Sequence, residues 1–346
     1  MTPEDEDFVG INEIAEMANV SRQAVANWRT RADDFPTPIA TLASGPVFKR
    51  TQIRAWLRRR KVPMSRVFAT INLKGGVGKT TTTVALAEIL SAEFRKRVLV
   101  VDLDPQTNAT TMLIGENRWQ ELNEEEHTLA RLFKDALDPQ NPSFDIEATL
   151  QKRVSDVEAA RSIDLLPSSL DLITVQDKLA SAPPGEFFAV NPTELLWRAV
   201  KSRLDDYDIV IVDCPPNLGI ITLNGLRISE GYIIPTIPDV LSTYGIPQIV
   251  SRVQQFSQAI AESIEPMGIV VTKYQANSTV HMNTLKQLKA SDKMPPVFST
   301  IIPQANQFAA AAEHTGSSTI KQKWGYNDLA EKFISLAREI LKKLEE

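Results

Sequence analysis

Apolar positions fall in short continuous runs along most of the chain, separated by stretches where they recur every three or four residues. Continuous runs predict strands buried on both faces, and the wider spacing predicts amphipathic helices. From Arg66 onward the two patterns alternate, which predicts an α/β fold with a mostly parallel sheet flanked by helices. Strands are expected at 66–72, 96–104, 163–167, 207–213, 231–236, 268–274 and 295–303, and helices at 84–90, 195–200 and 327–344.

The first 61 residues have a different pattern, made of short helices and a turn. Residues 10–18 carry apolar side chains at helical spacing, and Ser21 is a natural N-cap for a second helix over 22–29. A hairpin is expected near 39–48, before a helix that ends in Trp56 and Leu57. This combination resembles the small winged helix-turn-helix of MerR-type and excisionase-type DNA binders. We therefore predict a small, helical, winged helix-turn-helix module.

Basic and amide side chains on this module suggest DNA contacts. In a helix-turn-helix the early residues of the second helix meet base edges, where Arg favours guanine and Gln or Asn favours adenine. The stretch from Lys49 to Arg66 holds eight basic residues and no acidic one, which favours a phosphate contact. A solvated basic helix, or a helical pair packed on the larger domain, is the alternative. The candidate DNA-binding residues are Ser21, Arg22, Gln23, Asn27, Arg29, Lys49 and Arg50.

The domain boundaries follow from a short segment that contains a proline. We expect a DNA-binding domain over 1–62, a linker over 63–66 and a second domain over 67–346.

Hydrophobic residues make up 43% of the 346 positions and the net charge is −5, which is ordinary for a globular chain. No apolar run approaches the ~18 residues of a membrane span. The acidic start does not resemble a signal peptide, so a cytoplasmic location is expected.

The stretch LKGGVGKTTTT, from Leu73 to Thr83, lies between a predicted strand and a predicted helix. Strand, glycine-rich turn and helix form the context of a phosphate-binding loop, in which Lys79 reaches the outer phosphates and Thr80 supplies a hydroxyl to magnesium. The usual pattern places glycine where this chain has Leu73, and Lys74 is an additional lysine. A glycine-rich loop without a nucleotide is the alternative. The predicted nucleotide contacts are Lys74, Gly75, Gly76, Val77, Gly78, Lys79, Thr80 and Thr81.

Two of the predicted strands end in aspartates, at the sheet edge where ligands bind in such folds. Asp104 is placed to orient a water near the γ-phosphate, with a turn role beside Pro105 as the alternative. Asp102 either assists the magnesium shell or caps the following turn. Asp213 ends a run of β-branched residues and is expected to hold magnesium, directly or through water.

Four stretches together resemble the ParA branch of the ParA/MinD family of deviant phosphate-loop ATPases. They are LKGGVGKTTTT, VVDLDPQTNATT, IVIVDCPPNLGIITLNGL and IIPQANQFAAAAEHTG. The resemblance implies ATP and Mg²⁺ as cofactors and a homodimer in which two ATP-bound subunits pack face to face. It further implies that Lys74 crosses to the partner's phosphates, that Lys79 holds its own, and that Asp104 supports attack by water. Thr80 and Asp213 would serve magnesium, with Asp102 as a weaker candidate.

A helix-turn-helix before such an ATPase is similar to the larger plasmid partition ATPases. The resemblance implies ATP-dependent dimerisation, binding to nucleoid DNA without sequence preference, a ParB-like partner, and autorepression through an operator; no membrane contact is expected. Two alternatives stay open, an ATP-dependent positioning factor for a non-DNA cargo and an ATP-switched transcription repressor. Candidates for the non-specific DNA surface are Arg252, Lys273, Lys286, Lys289, Lys321 and Lys323.

Overall fold

The structure is a computed structural model that describes residues 8–18, 22–32, 34–42, 45–59, 66–181, 191–326 and 328–345. The chain divides into two compact units. One contains residues 1–65 and 202–208, and the other contains 66–201 and 209–346. Most of the linker predicted over 63–66, and the N-cap predicted at Ser21, lie outside the described residues.

The smaller unit combines three helices with a three-stranded antiparallel sheet, in which strands Phe8–Val9 and Ala40–Leu42 flank the central strand Gly45–Lys49. The hairpin predicted near 39–48 is present, but the sequence analysis of this winged, helical module missed the first strand of the sheet. Two residues are too few to show alternation, and Phe8 and Val9 form a strand only through pairing with Lys49 and Phe48. The elements are β1 (Phe8–Val9), α1 (Ile11–Met17), α2 (Arg22–Arg31), β2 (Ala40–Leu42), β3 (Gly45–Lys49) and α3 (Arg50–Arg59).

Aromatic side chains form the core of this unit. Trp56 is fully buried and packs against Phe35 and Trp28, with ring centroids 4.7 Å and 5.5 Å away. Phe35 also meets Phe48 edge-on at 5.4 Å. Such pairs stabilise a small core beyond the area they bury. The pair Trp56 and Leu57, noted in the sequence, therefore serves packing.

The larger unit is built on a seven-stranded parallel sheet. Its strands are β4 (Arg66–Thr70), β5 (Val98–Asp102), β6 (Ile163–Leu166), β7 (Ile209–Asp213), β8 (Gly231–Thr236), β9 (Glu265–Tyr274) and β10 (Val297–Pro303). Their order across the sheet is β10-β9-β8-β4-β7-β5-β6. Its helices are α4 (Lys79–Ala92), α5 (Asn108–Glu124), α6 (Leu129–Leu137), α7 (Ile146–Thr149), α8 (Asp171–Ser181), α9 (Leu195–Leu204), α10 (Ile220–Ile228), α11 (Val240–Tyr244), α12 (Ile246–Ala259), α13 (Thr279–Ala290), α14 (Asn306–Ala310), α15 (Ile320–Trp324) and α16 (Leu329–Glu345). The last residues of α9, from 202 onward, are counted with the smaller unit.

All seven strands predicted from the apolar runs are present, which confirms the α/β fold. Every position of β5 and β7 is buried, as expected for strands covered by helices on both faces. The strand order reverses at β4, which pairs with β7 on one side and β8 on the other. In such sheets ligands bind at the carboxyl ends of the strands beside this point. None of the helices in the described ranges combines the length and apolar character that a bilayer crossing requires.

Candidate active site

The loop between β4 and α4 is shaped by glycines with left-handed backbones. Gly76 has φ 74°, and Gly78, the N-cap of α4, has φ 85°. Side chains with a Cβ rarely adopt such angles, whereas glycine does so without strain. Val77 between them is fully buried and anchors the loop. The result is a tight turn that can direct successive N–H groups toward an anion at a helix N-terminus.

A cavity of about 280 Å³ opens over this loop. Lys79 and Thr80, from the first turn of α4, line it together with the loop glycines. Asp104 reaches it from the segment after β5, and Lys273 from the end of β9. Met112, Pro216 and Ala312 are also part of the wall. The parallel sheet thus brings the predicted phosphate loop and one predicted aspartate to a single cavity.

Lys79 is 6% exposed, and its ammonium donates to the carbonyl oxygen of Lys74 at 3.4 Å. A buried ammonium carries a large desolvation cost unless oxygen atoms surround it. Its position beside the loop therefore suits it to phosphate oxygens. The sequence assigned it to the outer phosphates, and the geometry is compatible with that role.

Asp213, at the carboxyl end of β7, is fully buried and accepts two hydroxyl hydrogen bonds. Its Oδ2 accepts from Thr80 Oγ1 at 2.7 Å, and its Oδ1 from Thr83 Oγ1 at 3.1 Å. Burial raises the pKa of Asp213 to about 7, and these hydrogen bonds oppose the rise. A buried carboxylate of raised pKa is stabilised in its charged form by a nearby cation.

The donor set around Asp213 fits magnesium. Within the described ranges, no group of three or more His, Cys, Asp or Glu side chains could hold a metal ion by itself. Magnesium in phosphoryl-transfer sites is usually held by one or two protein oxygens together with substrate phosphates. Thr80 and Asp213 are the residues that would hold it here.

Asp102 is the last residue of β5, and its side chain caps the turn that follows. Its Oδ1 accepts from the N–H of Asp104 at 3.0 Å, and its Oδ2 accepts from the N–H and hydroxyl of Thr110 at 2.9 Å and 2.7 Å. Burial, and then the charge of Asp213, raises the pKa of Asp102 well above its usual value. Both carboxyl oxygens are already engaged, so the geometry favours the capping alternative over the weak magnesium assignment.

Asp104 makes the turn contact that the sequence left open as one alternative, and its position at the cavity leaves the water-orienting role as a prediction. It accepts the N–H of Gln106 at 3.0 Å, which closes the turn, and it also lines the cavity. Burial raises its pKa, while the charge of Lys79 acts in the opposite direction. Its carbonyl oxygen accepts the Ser168 hydroxyl at 2.7 Å, which fixes the segment.

Lys74 contacts residues that sequence reasoning missed. Its ammonium lies 2.8 Å from Ser242 Oγ and 3.4 Å from both carboxylate oxygens of Asp239. Asp239 is the N-cap of α11 and accepts the Ser242 N–H at 2.7 Å. An Asp-x-x-Ser pattern directly after β8, at the ligand edge of the sheet, was the available signal. Thr272, whose hydroxyl donates to Val77 O at 2.7 Å, was also missed.

The predicted DNA contacts are described in part. Arg22 and Arg29 are exposed on α2, and Lys49 and Arg50 are half-buried where β3 meets α3. Gln23 and Asn27 lie in α2, but their side chains are outside the described part of the molecule. These contacts remain predictions.

Five of the six candidates for a non-specific DNA surface are exposed, namely Arg252, Lys273, Lys286, Lys289 and Lys321. Lys323 is wrong as a candidate, because it is 4% exposed and its ammonium is bonded to Glu88 at 2.8 Å and to Asp156. A lysine closed inside the protein and paired with two carboxylates is not available to DNA phosphates.

Fold and site together define a phosphate-loop ATPase that uses magnesium. The family model described as an AAA domain matches residues 65–266. The chain is 30% identical to the chromosome-partitioning ATPase Soj of Thermus thermophilus over 285 residues, which cover 81% of this chain and 97% of the relative. The chain therefore belongs to this AAA-domain family and, within it, to the ParA-type partitioning ATPases.

Two solved structures share the fold. Cobyrinic acid a,c-diamide synthase from Mycobacterium smegmatis with bound ADP and magnesium is 26% identical, with a TM-score of 0.60 over 81% of this chain and 95% of that one. A plasmid partition protein from Borrelia burgdorferi bound to AMPPNP has a TM-score of 0.57 at 20% identity, over 81% of this chain and 99% of that one. The second likeness supports the fold alone.

Proposed function

We propose that this chain is a DNA-partitioning ATPase that binds ATP in the cavity over the phosphate loop, dimerises in that state and releases its partner subunit on hydrolysis. The observation that carries the proposal is that Lys79, Asp104 and the hydrogen-bonded pair of Thr80 and Asp213 lie together beside one loop. The same loop contains the additional Lys74. The partitioning relative, similar over 97% of its own length, supports the same role.

The site's own residues account for phosphoryl transfer mainly by positioning, as is usual for this reaction. The loop N–H groups and Lys79 bind the phosphates, and Thr80 and Asp213 hold the metal. When bound, magnesium neutralises charge that develops on the β- and γ-phosphate oxygens. Asp104 orients the attacking water through its carboxylate, which the Gln106 N–H holds in place.

Dimerisation would use Lys74. Its side chain is 37% exposed while its ammonium contacts Asp239. In the proposed ATP-bound dimer it leaves Asp239 and Ser242 and reaches the partner's phosphates. The stronger charge of a triphosphate compensates for the lost surface ion pair, which is worth little by itself.

DNA would be bound at two places. The smaller unit presents Arg22 and Arg29 on one helix, which suits an operator contact and autorepression. The larger unit carries exposed basic residues for binding to nucleoid DNA without sequence preference, among them Arg252, Lys286 and Lys289. A ParB-like protein is the proposed partner that stimulates hydrolysis.

ATPase rates and solution mass test the proposal. We expect turnover to rise when DNA and the product of the neighbouring gene are added together. We expect the dimer's mass only with a non-cleavable ATP analogue. Stimulation by a cargo adaptor without DNA would favour positioning of a non-DNA cargo. Operator binding that requires ATP, without hydrolysis, would favour a repressor. The same mass in every nucleotide state would contradict the mechanism.

A variant that lacks residues 1–61 separates the two DNA activities. We expect it to lose operator footprints and to keep non-specific binding whose affinity falls steeply with salt. Operator footprints that survive the truncation would remove the smaller unit from DNA recognition.

A further inference from the structure

Two consecutive residues at the end of β9 hold two consecutive carbonyl groups of the phosphate loop. Thr272 Oγ1 donates to Val77 O at 2.7 Å, and Lys273 Nζ donates to Gly76 O at 2.7 Å. The C=O and N–H of a trans peptide point in opposite directions. By fixing these carbonyls on one side, the two residues direct the N–H groups of Val77 and Gly78 to the other side.

Lys273 has a backbone conformation that lysine rarely adopts. Its φ of 48° lies in the left-handed region, which is costly for a side chain with a Cβ and is found most often where the position serves a function. Thr272 is buried, whereas Lys273 is exposed and forms part of the cavity wall together with Lys79 and Asp104. The strained position therefore places a lysine at the nucleotide cavity.

The ammonium group of Lys273 has more hydrogen-bond donors than its contact with one carbonyl oxygen requires. An ammonium has three N–H donors, and Gly76 O is the acceptor that the structure gives it. A nucleotide in the cavity brings phosphate and ribose oxygens, which are strong acceptors for a cationic donor. A lysine engaged in this way is poorly suited to the DNA surface to which the sequence assigned it.

We propose that Lys273 is a nucleotide-site residue: it positions the phosphate loop through the Gly76 carbonyl and offers its remaining donors and its charge to oxygens of the bound nucleotide. This inference rests on ATP binding in the proposed function, and it is independent of DNA, dimerisation and the partner protein. Lys273 is a positioning residue, because its contact in the structure is with the loop.

The test measures nucleotide affinity without DNA, by calorimetry with ADP and with a non-cleavable ATP analogue. Lys273→Met keeps the length of the side chain and removes its donors, Lys273→Arg restores charge and donors, and Lys293→Met is a control at an exposed lysine. We expect Lys273→Met to weaken binding about tenfold, the effect of one charged hydrogen bond. Lys273→Arg should recover most of the affinity, and Lys293→Met should bind as the wild type does.

Lys273→Gly separates a role toward the nucleotide from a merely structural one. Glycine relieves the left-handed strain, so the Tm of the nucleotide-free protein should stay the same or rise while affinity falls as in Lys273→Met. The inference would be overturned if Lys273→Met bound nucleotide as tightly as the wild type. It would also be overturned if each variant's loss of affinity followed its loss of Tm and Lys273→Arg did not restore binding. A wild-type chain that binds no nucleotide would instead overturn the proposed function.

Discussion

The ammonium of Lys74 lies 2.8 Å from the hydroxyl of Ser242, although 168 positions separate the two residues in the chain. Asp239 completes the contact at 3.4 Å. Burial by itself would raise the pKa of Asp239, but hydrogen bonds from Ser242 and Lys74 lower it below its usual value. Within one subunit, the additional loop lysine is thus paired with the first turn of α11.

Breaking this pairing should make dimerisation easier. With a non-cleavable ATP analogue, we expect Asp239→Asn to strengthen association by about two- to fivefold, in line with an exposed ion pair worth up to about 1 kcal/mol.

Lys74→Ala, in contrast, should weaken the dimer while monomeric nucleotide affinity stays close to that of the wild type. Light scattering over a concentration series measures both. Asp292→Asn, at an exposed position, is the control, and an unaltered dimer in Lys74→Ala would rule out a cross-interface role.

Removing the ammonium of Lys79 should abolish useful ATP affinity. Lys79→Ala removes a nearly buried cation from the phosphate loop, so we expect the affinity to fall by about 100-fold or more, because hydrogen bonds between charged groups are stronger than those between neutral groups. Calorimetry with the ATP analogue measures the loss, and circular dichroism checks that the variant is folded. Tight binding retained by a folded variant would contradict the assignment.

Asp104→Asn should separate nucleotide binding from hydrolysis. The amide keeps the side chain's size and an oxygen that can accept from the Gln106 N–H, so the turn should stay closed. We expect normal ATP affinity and a stable dimer with turnover reduced by about 100-fold, a typical loss for a general base or water-positioning group. Phosphate release at the wild-type rate would exclude Asp104 from the mechanism.

The pH dependence of the protein's stability should reflect the titration of the Asp213 carboxyl group. Its pKa is about 7 in the folded protein and about 3.9 when unfolded, so the folded state binds the extra proton between those values. This group's contribution to stability is therefore present at low pH and is lost as pH rises from about 4 to 7. Thermal melts of the nucleotide-free protein should show a lower Tm at pH 8 than at pH 6.

Asp213→Asn should remove much of that pH dependence. At pH 8 the variant should melt roughly 2–4 °C higher than the wild type if about 1 kcal/mol is recovered. It should also lose the magnesium-dependent part of its ATP affinity. A lower Tm at pH 8, with magnesium dependence intact, would show that the carboxylate stabilises the fold and does not serve the metal.

Lys323 should matter for stability and not for DNA. It lies inside the protein with Glu88 and Asp156, and Trp324 Nε1 donates to Glu88 at 2.6 Å. Lys323→Ala leaves buried carboxylates unpaired, which typically costs about 3–5 kcal/mol. Urea unfolding should show this loss, whereas exposed Lys321→Ala should stay within about 0.5 kcal/mol of the wild type. A DNA-affinity loss in folded Lys323→Ala would contradict the buried assignment.

The sequence by itself determined the sheet, the phosphate loop and the two aspartates beside that loop. Buried parallel strands are visible as continuous apolar runs, and a phosphate loop is encoded within a dozen consecutive residues, so both signals are local. The same reasoning placed Asp104 and Asp213 at strand ends, and the structure brings both to the loop. It missed β1, because a two-residue strand has no pattern of its own and exists through pairing with β3.

Only the tertiary structure decided which partner each polar side chain has. Asp102 accepts a hydrogen bond from Thr110, and Lys323 is buried beside Glu88. Lys74 forms a hydrogen bond with Ser242. Lys273 reaches Gly76, 197 positions earlier in the chain. Residue type and local spacing show that a side chain is charged and which element it lies on. Strand order and helix packing determine what surrounds it, and that environment separates a structural charge from one that serves the nucleotide.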